Sequence, residues 1–374
     1  MPTDDTSTRQ HPRSPPTMAA LPPGAPTSSL FAIRTTPHSG RAVFATSFIL
    51  EGTLIWRSDD LALSVLLREY RREVCGHCFS YEHGRDLSIR DQDVGFAFCN
   101  PDCQAKWKEA QGPIGLQAWE KIEALVKGRS KEDAEMMDVD LPRPKKKEID
   151  AAWDAVSSQA QLIRIARTAE RATNADAEGE GVKVTKQHKK ALQKALCNPV
   201  NPDVLSFCIS GILHRYNHPS DWLKVLALAQ DPTPYHNTDD LHAFVRSYLH
   251  LLAILPLPLL SLCTPETLYL WSVHDSHNSF GIRSLEDDGS EFFGYGCWPA
   301  ASYFNHSCAP NIEKQREGPV WVFRAGRDVE VEEELCITYL SGEERKLSRG
   351  KRMLTLRRNW GFECGCERCE EIIV

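Results

Sequence analysis

The sequence predicts an α+β fold in which β-rich segments at both ends enclose a helical middle. Residues 30–67 contain short apolar runs separated by glycine-containing turns, a texture typical of strands. Residues 151–255 instead carry apolar side chains at helical spacing. From Phe280 onwards, glycine and proline become frequent again and short strands are expected. No internal repeat is visible.

The individual elements follow from the same patterns. Strands are predicted over residues 31–34, 42–45, 53–56, 320–323 and 334–339. Helices are predicted over residues 151–172, 204–213, 222–228, 241–255 and 343–358. The last helix leads into a cysteine-rich carboxyl end.

Composition excludes several classes of protein. A chain of 374 residues with 41% hydrophobic residues can bury a sizeable core. The net charge of -7 argues against broad nucleic-acid binding. The most apolar stretch, residues 251–260, is about half the ~20 residues that span a bilayer and contains two prolines. Residues 1–29 lack the apolar run of a signal peptide and are expected to form a flexible tail.

Two charged stretches of low hydrophobicity, residues 127–150 and 174–190, are expected to be solvated linkers. The first contains a basic run around Arg143 and Lys145–Lys147. Such a run is typical of solvated linkers, and a nuclear-localisation signal is the alternative.

The cysteines indicate metal binding. Thirteen are many for a chain without an export signal, and in a reducing compartment close-set thiols favour metal ligation over disulfides. The scattered ones are expected to be small buried hydrophobes. Seven lie in tight groups, at Cys75/Cys78, Cys99/Cys103 and Cys364/Cys366/Cys369.

Cys364, Cys366 and Cys369 supply three thiolates within six residues. A closed structural zinc site needs four ligands, so a fourth from elsewhere would join the tail to the body. The alternative is three reduced thiols on the surface of a tail.

Cys308 is the expected fourth ligand, and it lies in the motif Asn305-His-Ser-Cys308-Ala-Pro-Asn. Glu334-Leu-x-Ile-x-Tyr339 and then the Cys-x-Cys-x-x-Cys tail follow in that order. Together they resemble the signature of SET-domain lysine methyltransferases. Ser39-Gly-Arg-Ala-Val-Phe-Ala resembles the opening turn of that domain, and Asn278-Ser-Phe-Gly-Ile resembles the start of its second half. The resemblance covers roughly residues 30–110 and 275–370.

The resemblance implies a β-clip-type SET domain interrupted by two insertions. The implied organisation is a tail (1–29), the first part of the SET domain (30–71), a MYND-like zinc finger (72–110), a helical insert (111–275), the second part of the SET domain (276–345), and a post-SET helix with a zinc cluster (346–374). The implied cofactors are S-adenosylmethionine (SAM) and Zn²⁺.

The resemblance also assigns roles to single residues. The catalytic residue would be Tyr339, whose phenol would orient the target amine. Methyl transfer to an amine is an in-line displacement, so alignment of donor and acceptor is the main requirement and no acid–base pair is needed. The cofactor would be held by Arg41, Ala42, Asn278, Tyr303, Asn305, His306, Tyr339, Trp360 and Phe362. Taken singly, Tyr339 would be a core or surface tyrosine and Trp360 a packing residue. The order of the motifs overrides such alternatives for Tyr339, Asn305 and His306, and only in part for Trp360 and Asn278.

One position departs from the family pattern. Ala42 stands where SET domains have the second glycine of Gly-Arg-Gly. If that position required a positive φ, the Cβ would add strain of about 1 kcal/mol and weaken cofactor binding.

The second metal candidate is formed by Cys75, Cys78, Cys99 and Cys103. Two thiolate pairs separated by a loop suit one tetrahedral zinc. Their placement resembles a MYND finger, but the cysteines and histidine of its second zinc site are missing. We expect a truncated finger with one zinc. Four buried, unliganded cysteines are the alternative.

The resulting prediction is a monomeric, intracellular, SAM-dependent protein-lysine N-methyltransferase, in the nucleus or the cytoplasm. Its partner would be a protein that presents a lysine, with no membrane or nucleic acid. Two alternatives come from other classes: a SET-fold scaffold without catalysis, which Ala42 would favour, and a zinc-finger transcription regulator, which the negative charge opposes. The substrate protein would be a histone or a non-histone protein.

Overall fold

A computed structural model describes residues 21–37, 39–128, 141–172, 183–285 and 291–370. Both ends are β-rich and the middle is helical, so the predicted α+β class is confirmed. The strands, in chain order, are β1 (Phe31–Thr36), β2 (Gly40–Ala45), β3 (Leu54–Ser58), β4 (Leu63–Leu66), β5 (Ile89–Asp91), β6 (Phe96–Phe98), β7 (Ser279–Arg283), β8 (Phe292–Cys297), β9 (Ile312–Glu317) and β10 (Val320–Ala325). The helices are α1 (Pro101–Lys127), α2 (Lys146–Ala155), α3 (Ser157–Ala172), α4 (Lys186–Leu196), α5 (Pro202–Asn217), α6 (Trp222–Leu226), α7 (Thr238–Ile254), α8 (Pro265–Asp275), α9 (Gly342–Lys346), α10 (Arg349–Trp360) and α11 (Glu367–Glu370).

The two ends of the chain build common antiparallel sheets. One sheet has the order β3-β10-β9 and another β4-β8-β7, so each joins a strand from before residue 67 to strands from after residue 278. In the first, Trp321 lies opposite Ser58, and in the second Cys297 lies opposite Leu63. β1 pairs with β2, and β5 pairs with β6. The insertions between the ends therefore leave the β-rich body continuous in space.

Residues 334–339 do not form the strand that their alternating pattern predicts. They form two isolated bridges instead, one between Glu334 and Phe44 and one between Ile337 and His306. The amide of Leu335 donates to the carbonyl of Val43, whereas the amide of Ile337 donates to that of Asn305. Because the segment changes partner after two residues, no ladder of consecutive pairs forms. It lies between β2 and the loop that precedes β9.

The helical middle packs on the β-rich body through α5, which contacts β4, α7 and α8. Ser210 on α5 donates from its hydroxyl to the carbonyl of Ser64 at 3.1 Å. Phe207 and Ile209 are buried at this contact. The predicted helix 151–172 is divided at Val156 into α2 and α3. None of the helices in the described ranges is both long and apolar enough to cross a bilayer.

The segments predicted as tail and linkers are partly ordered. Ala25 packs against the core, and the Thr46 hydroxyl donates to the carbonyl of Ser29 at 2.7 Å, so residues 21–29 belong to the body. α1 extends to residue 127, α2 begins at 146 and α4 begins at 186. Residues 1–20, 129–140 and 173–182 of these predictions lie outside the described part of the chain.

Two members of the basic run, Arg143 and Lys146, have acidic partners, whereas Lys145 and Lys147 are exposed. Arg143 forms an ion pair with Asp231 at 2.8 Å and donates to the carbonyl of Arg358 at 3.1 Å. Lys146 forms an ion pair with Asp150 in the first turn of α2. Arg143 therefore connects the helical insert to the carboxyl end.

The predicted helix 343–358 is two helices, α9 and α10. Leu347 and Ser348 are extended, and the carbonyl of Leu347 accepts from the guanidinium of buried Arg352 at 2.7 Å. α10 ends at Gly361, whose left-handed conformation (φ 73°) favours glycine. This turn directs the following residues back towards the loop at residues 303–308.

Candidate active site

Four stretches of chain supply most of the residues that line one cavity of about 1010 Å³. They are the start of β2, residues 302–309, residues 333–339 and the tail from Trp360 to Cys366. The helical insert adds Ala229. This volume lies at the upper end of the ~300–1,000 Å³ typical of sites for small molecules and cofactors.

Tyr339 lines the cavity, and hydrogen bonds fix both its hydroxyl and its backbone amide. Its hydroxyl donates to the carbonyl of Phe304 at 3.1 Å, and its amide donates to Nδ1 of His306 at 3.0 Å. Burial raises the pKa of Tyr339 above its usual value, with the nearby Cys336 and Glu334 adding to the effect. The side chain is therefore a neutral phenol, which can donate a hydrogen bond.

His306 supports Tyr339 as a neutral imidazole. Burial, with a smaller effect from the cations Lys314 and Arg352, lowers the pKa of His306 to about 3. Nδ1 must accept the hydrogen bond from the Tyr339 amide, so the proton lies on Nε2, which is 3.4 Å from Sγ of Cys308.

Asn305 connects the two ends of the chain across the cavity. Its side-chain amide donates to the carbonyl of Arg41 at 3.0 Å and to the carboxylate of Glu334 at 2.9 Å. Both partners line the cavity. The amide therefore fixes the spacing between β2 and residues 334–339.

Arg41, in β2, and Tyr303 line the cavity together. The Arg41 guanidinium lies over the Tyr303 ring at 4.5 Å and donates to its hydroxyl at 3.0 Å. Gly40 precedes it with φ 65°, a conformation that favours glycine.

Ala42 is fully buried in a regular stretch of β2, opposite Arg34, and is not among the residues that line the cavity. It is absent from the residues with positive φ, so the strain that its Cβ would have caused does not arise. Its expected role is a backbone contact with the cofactor, and this role stays a prediction.

Asn278 lines the cavity, but its side-chain amide is already engaged. It donates to the carbonyls of Ala229 at 3.0 Å and His274 at 2.7 Å. Its own carbonyl accepts from the Ser302 hydroxyl at 3.0 Å. The geometry leaves Oδ1 as the polar atom available to a ligand and makes Asn278 the link between the insert and the cavity wall.

Trp360 and Phe362 close the cavity from the tail. The Trp360 ring centroid is 5.4 Å from that of Tyr339, and the Phe362 ring is 5.9 Å from that of His306. Aromatic faces at such a site suit a flat heterocycle. The tail is thus an integral wall of the cavity.

The tail is held beside the cavity by a cluster of four cysteines: Cys308, Cys364, Cys366 and Cys369. Their sulfurs lie within 4.8 Å of one another, and those of Cys308 and Cys369 are 3.5 Å apart. A tetrahedral Zn²⁺ with bonds of about 2.3 Å places its sulfurs about 3.8 Å apart, so the cluster fits that ion. Cys308 is the fourth member, as the sequence predicts.

The second cluster consists of Cys75, Cys78, Cys99 and Cys103, and none of them lines the cavity. Asn100 caps α1 by accepting from the amide of Cys103 at 2.8 Å, which places this thiol in the first turn. The sulfurs of Cys78 and Cys99 are 3.6 Å apart, again near the spacing around one zinc. Neither His77 nor His83 belongs to the group.

A second, smaller cavity of about 50 Å³ adjoins the first. The two share Tyr339, Trp360, His277, Asn278 and Ser302. Residues 279–281 of β7 and Lys314 of β9 complete the smaller one. Tyr339 therefore faces both spaces at their junction.

Sequence reasoning missed Ala229, His277 and Lys314 as lining residues. His277 directly precedes Asn278, so its place in the motif was an available signal. Ala229 and Lys314 carry no local signal, because tertiary packing alone brings them to the cavities.

Comparison with known proteins gives a family. The SET domain family model matches residues 40–340. A relative from Saccharomyces cerevisiae, described as potential protein lysine methyltransferase SET6, is 25% identical over 378 residues, which cover 92% of this chain and 95% of the relative. Human histone-lysine N-methyltransferase SMYD3 is 41% identical over 93 residues, 25% of this chain and 20% of SMYD3.

Other similarities are more local. Histone-lysine N-methyltransferase ASHR2 of Arabidopsis thaliana is 31% identical over 106 residues, 26% of each chain. A crystal structure of the SET domain of LSMT bound to lysine and AdoHcy has a TM-score of 0.27 and 12% identity, and the match covers 91% of this chain but about half (54%) of that one. The family match over residues 40–340 is decisive: the chain belongs to the SET-domain family.

Proposed function

We propose that this chain transfers the methyl group of SAM to the side-chain amine of a lysine in a protein substrate. The observation that carries the proposal is the position of Tyr339 at the junction of a large and a small cavity. In-line transfer requires donor and acceptor to approach the same point, and two cavities that share Tyr339 give each of them a separate space beside one phenol.

The larger cavity suits the cofactor. Trp360 and Phe362 offer aromatic faces for an adenine, while Arg41 and Oδ1 of Asn278 offer polar groups for an amino-acid moiety. Asn305 and His306 position other residues that line the cavity. Asn305 fixes the carbonyl of Arg41, and His306 fixes the backbone of Tyr339. When bound, SAM supplies an electrophilic methyl group.

The smaller cavity suits the acceptor amine. Phe280, Trp360 and Tyr339 contribute aromatic surface to it, and burial against such surface lowers the pKa of an amine. This matters because only a neutral amine has the lone pair that attacks. The neutral Tyr339 phenol and the Phe304 carbonyl, 3.1 Å apart, can orient that amine.

Both cysteine clusters would hold structural zinc. The tail cluster would anchor Trp360 and Phe362 over the cofactor cavity, and the other would hold a one-zinc finger at the start of α1. None of the thirteen described cysteines forms a disulfide, which suits a reducing compartment inside the cell. We propose that the chain acts there as a monomer.

The scaffold alternative loses its support. It depended on strain at Ala42, and Ala42 lies in ordinary extended backbone.

The test is incubation of the purified chain with methyl-labelled SAM and a cell extract, in parallel with Tyr339→Phe. We expect labelled protein bands that fade by at least about 10²-fold in the variant, the typical effect of losing one preorganised donor. Tyr269→Phe is the matched control, since this phenol also donates to a backbone carbonyl, that of Pro232 at 3.0 Å, but outside both cavities. Equal labelling by wild type and Tyr339→Phe would exclude the proposed role of Tyr339.

A further inference from the structure

Lys314 occupies the wall of the smaller cavity, in the space that the proposed function assigns to a substrate amine. Its half-buried side chain extends from β9, and Nζ lies 5.4 Å from the Phe280 ring centroid and 5.6 Å from that of Trp321. A lysine of the chain itself thus shares one small cavity with Tyr339.

The surroundings of this amine do not stabilise its charge as an ion pair would. None of the described carboxylates forms an ion pair with Lys314, and the charged groups that act on it are two cations, Arg283 and Arg345. The two aromatic faces compensate only in part, since a cation–π contact contributes about 0.5–2 kcal/mol. Burial, reinforced by the two guanidinium groups, lowers the pKa of Lys314 to about 8. Near neutral pH its neutral, nucleophilic form is therefore far more populated than that of an ordinary lysine.

We propose that Lys314 is an intramolecular methyl acceptor of the Tyr339 site. The inference rests on the proposed function, because SAM must be the methyl donor. Nζ, after losing one proton to water, attacks the methyl carbon with its lone pair. The N–C bond forms as the C–S bond breaks, sulfur keeps the bonding electron pair, and the products are methyl-Lys314 and S-adenosylhomocysteine. No oxidant or reductant is required.

The product suits the same environment. Methylation keeps the positive charge once the amine is reprotonated and adds apolar surface, and methylated ammonium groups bind well between aromatic faces such as those of Phe280 and Trp321. A methylated Lys314 would fill space that a substrate lysine needs. Self-methylation would therefore reduce turnover of other substrates.

The test is incubation of the full chain with deuteromethyl SAM and no other protein, followed by tandem mass spectrometry of the peptide that contains Lys314. We expect the label on Lys314 in the wild type, loss of that label by at least about 10²-fold in Tyr339→Phe, and no label at this position in Lys314→Arg. Lys351→Arg, which removes an exposed lysine on α10, should label Lys314 as the wild type does.

Two further arms make the outcome decisive. When wild type is mixed with a tagged Tyr339→Phe chain, an intramolecular acceptor carries label only on the wild type, so label on the tagged chain would overturn the proposal. Independently of turnover, an NMR titration of the reductively ¹³C-methylated chain should show the Lys314 signal, identified by its absence in Lys314→Arg, with a midpoint of about 8. A midpoint near the ordinary ~10.4 of lysine would also overturn it.

The experiment distinguishes failure of the Lys314 inference from failure of the proposed methyltransferase function. If the wild type labels proteins of a cell extract but Lys314 stays unlabelled, the inference is wrong and the proposed function stands. If nothing is labelled and SAM does not bind, both are wrong.

Discussion

The side-chain amide of Asn305 donates a hydrogen bond to the backbone carbonyl of Arg41, 264 residues earlier in the chain, at 3.0 Å. The same amide also reaches Glu334 at 2.9 Å. One side chain thus holds three of the stretches that line the cofactor cavity in a fixed relation. Preorganisation of this kind reduces the free-energy cost of ordering the site when a ligand binds.

Removal of this amide should therefore affect both folding and binding. In Asn305→Ala the carbonyl of Arg41 and the carboxylate of Glu334 lose their donor, and the free energy of unfolding should fall by about 1–3 kcal/mol. The affinity for SAM should fall at least about tenfold, because β2 is no longer held at its distance from residue 334. Chemical denaturation and calorimetric titration measure the two effects.

Asn217→Ala provides the matched control. Its amide also donates to two acceptors, the carbonyls of Ala110 and Gln111 at 3.3 Å each, but outside the cavity. It should lower stability and leave SAM affinity unchanged. The role assigned to Asn305 is excluded if the two variants lose SAM affinity equally.

Loss of one tail thiolate should show that the two metal sites have different roles. Cys308→Ser is expected to reduce bound zinc from two ions per chain to one, because two four-cysteine clusters are present and only the tail cluster is opened. SAM affinity should fall sharply, since Trp360 and Phe362 lose their anchor. Metal analysis of the purified protein together with SAM titration measures both results.

Cys78→Ser opens the other cluster and is the comparison variant. It should also lose one zinc but keep SAM binding, because no residue of that cluster lines the cofactor cavity. Cys197→Ser, at an exposed cysteine outside both clusters, should retain both ions. Full zinc content in Cys308→Ser would contradict the assignment of the tail site.

Asp275 should make the stability of the fold depend on pH. Burial raises the pKa of this carboxyl, the last residue of α8, to about 7, although the Ser279 hydroxyl donates to it. The unfolded value is near 3.9. Between about pH 4 and pH 7 the native state binds more protons than the unfolded state, so this group reduces stability as the pH rises through that window.

Asp275→Asn removes the titration and keeps an oxygen that can accept from Ser279. The difference in unfolding free energy between the variant and the wild type should be larger at pH 8 than at pH 5 by roughly 2 kcal/mol, in favour of the variant. Urea denaturation of both proteins at the two pH values measures the gain. If the two proteins instead differ in unfolding free energy by the same amount at both pH values, Asp275 is already ionised in the native state at pH 5, and the prediction is wrong.

The sequence allowed prediction of the parts of the site that are written as motifs. The motif residues lie together as expected: Asn305, His306, Cys308 and Tyr339. They could be predicted because they belong to short motifs whose order along the chain is recognisable. The strand predicted at residues 334–339 was wrong, since alternation in the sequence cannot show that a segment changes partner after two residues. The place of Lys314 in the acceptor cavity depends on tertiary packing that brings β9 beside β7 and Trp360, and no local pattern encodes that.

The most direct measurement of the central claim is a calorimetric titration of SAM into the purified, zinc-loaded full chain. We predict saturable binding of one SAM per chain, weakened in Asn305→Ala and Cys308→Ser and retained in Cys78→Ser. The absence of any saturable binding to the folded wild-type chain would contradict the account, because the cavity beside Tyr339 would then not be a cofactor site.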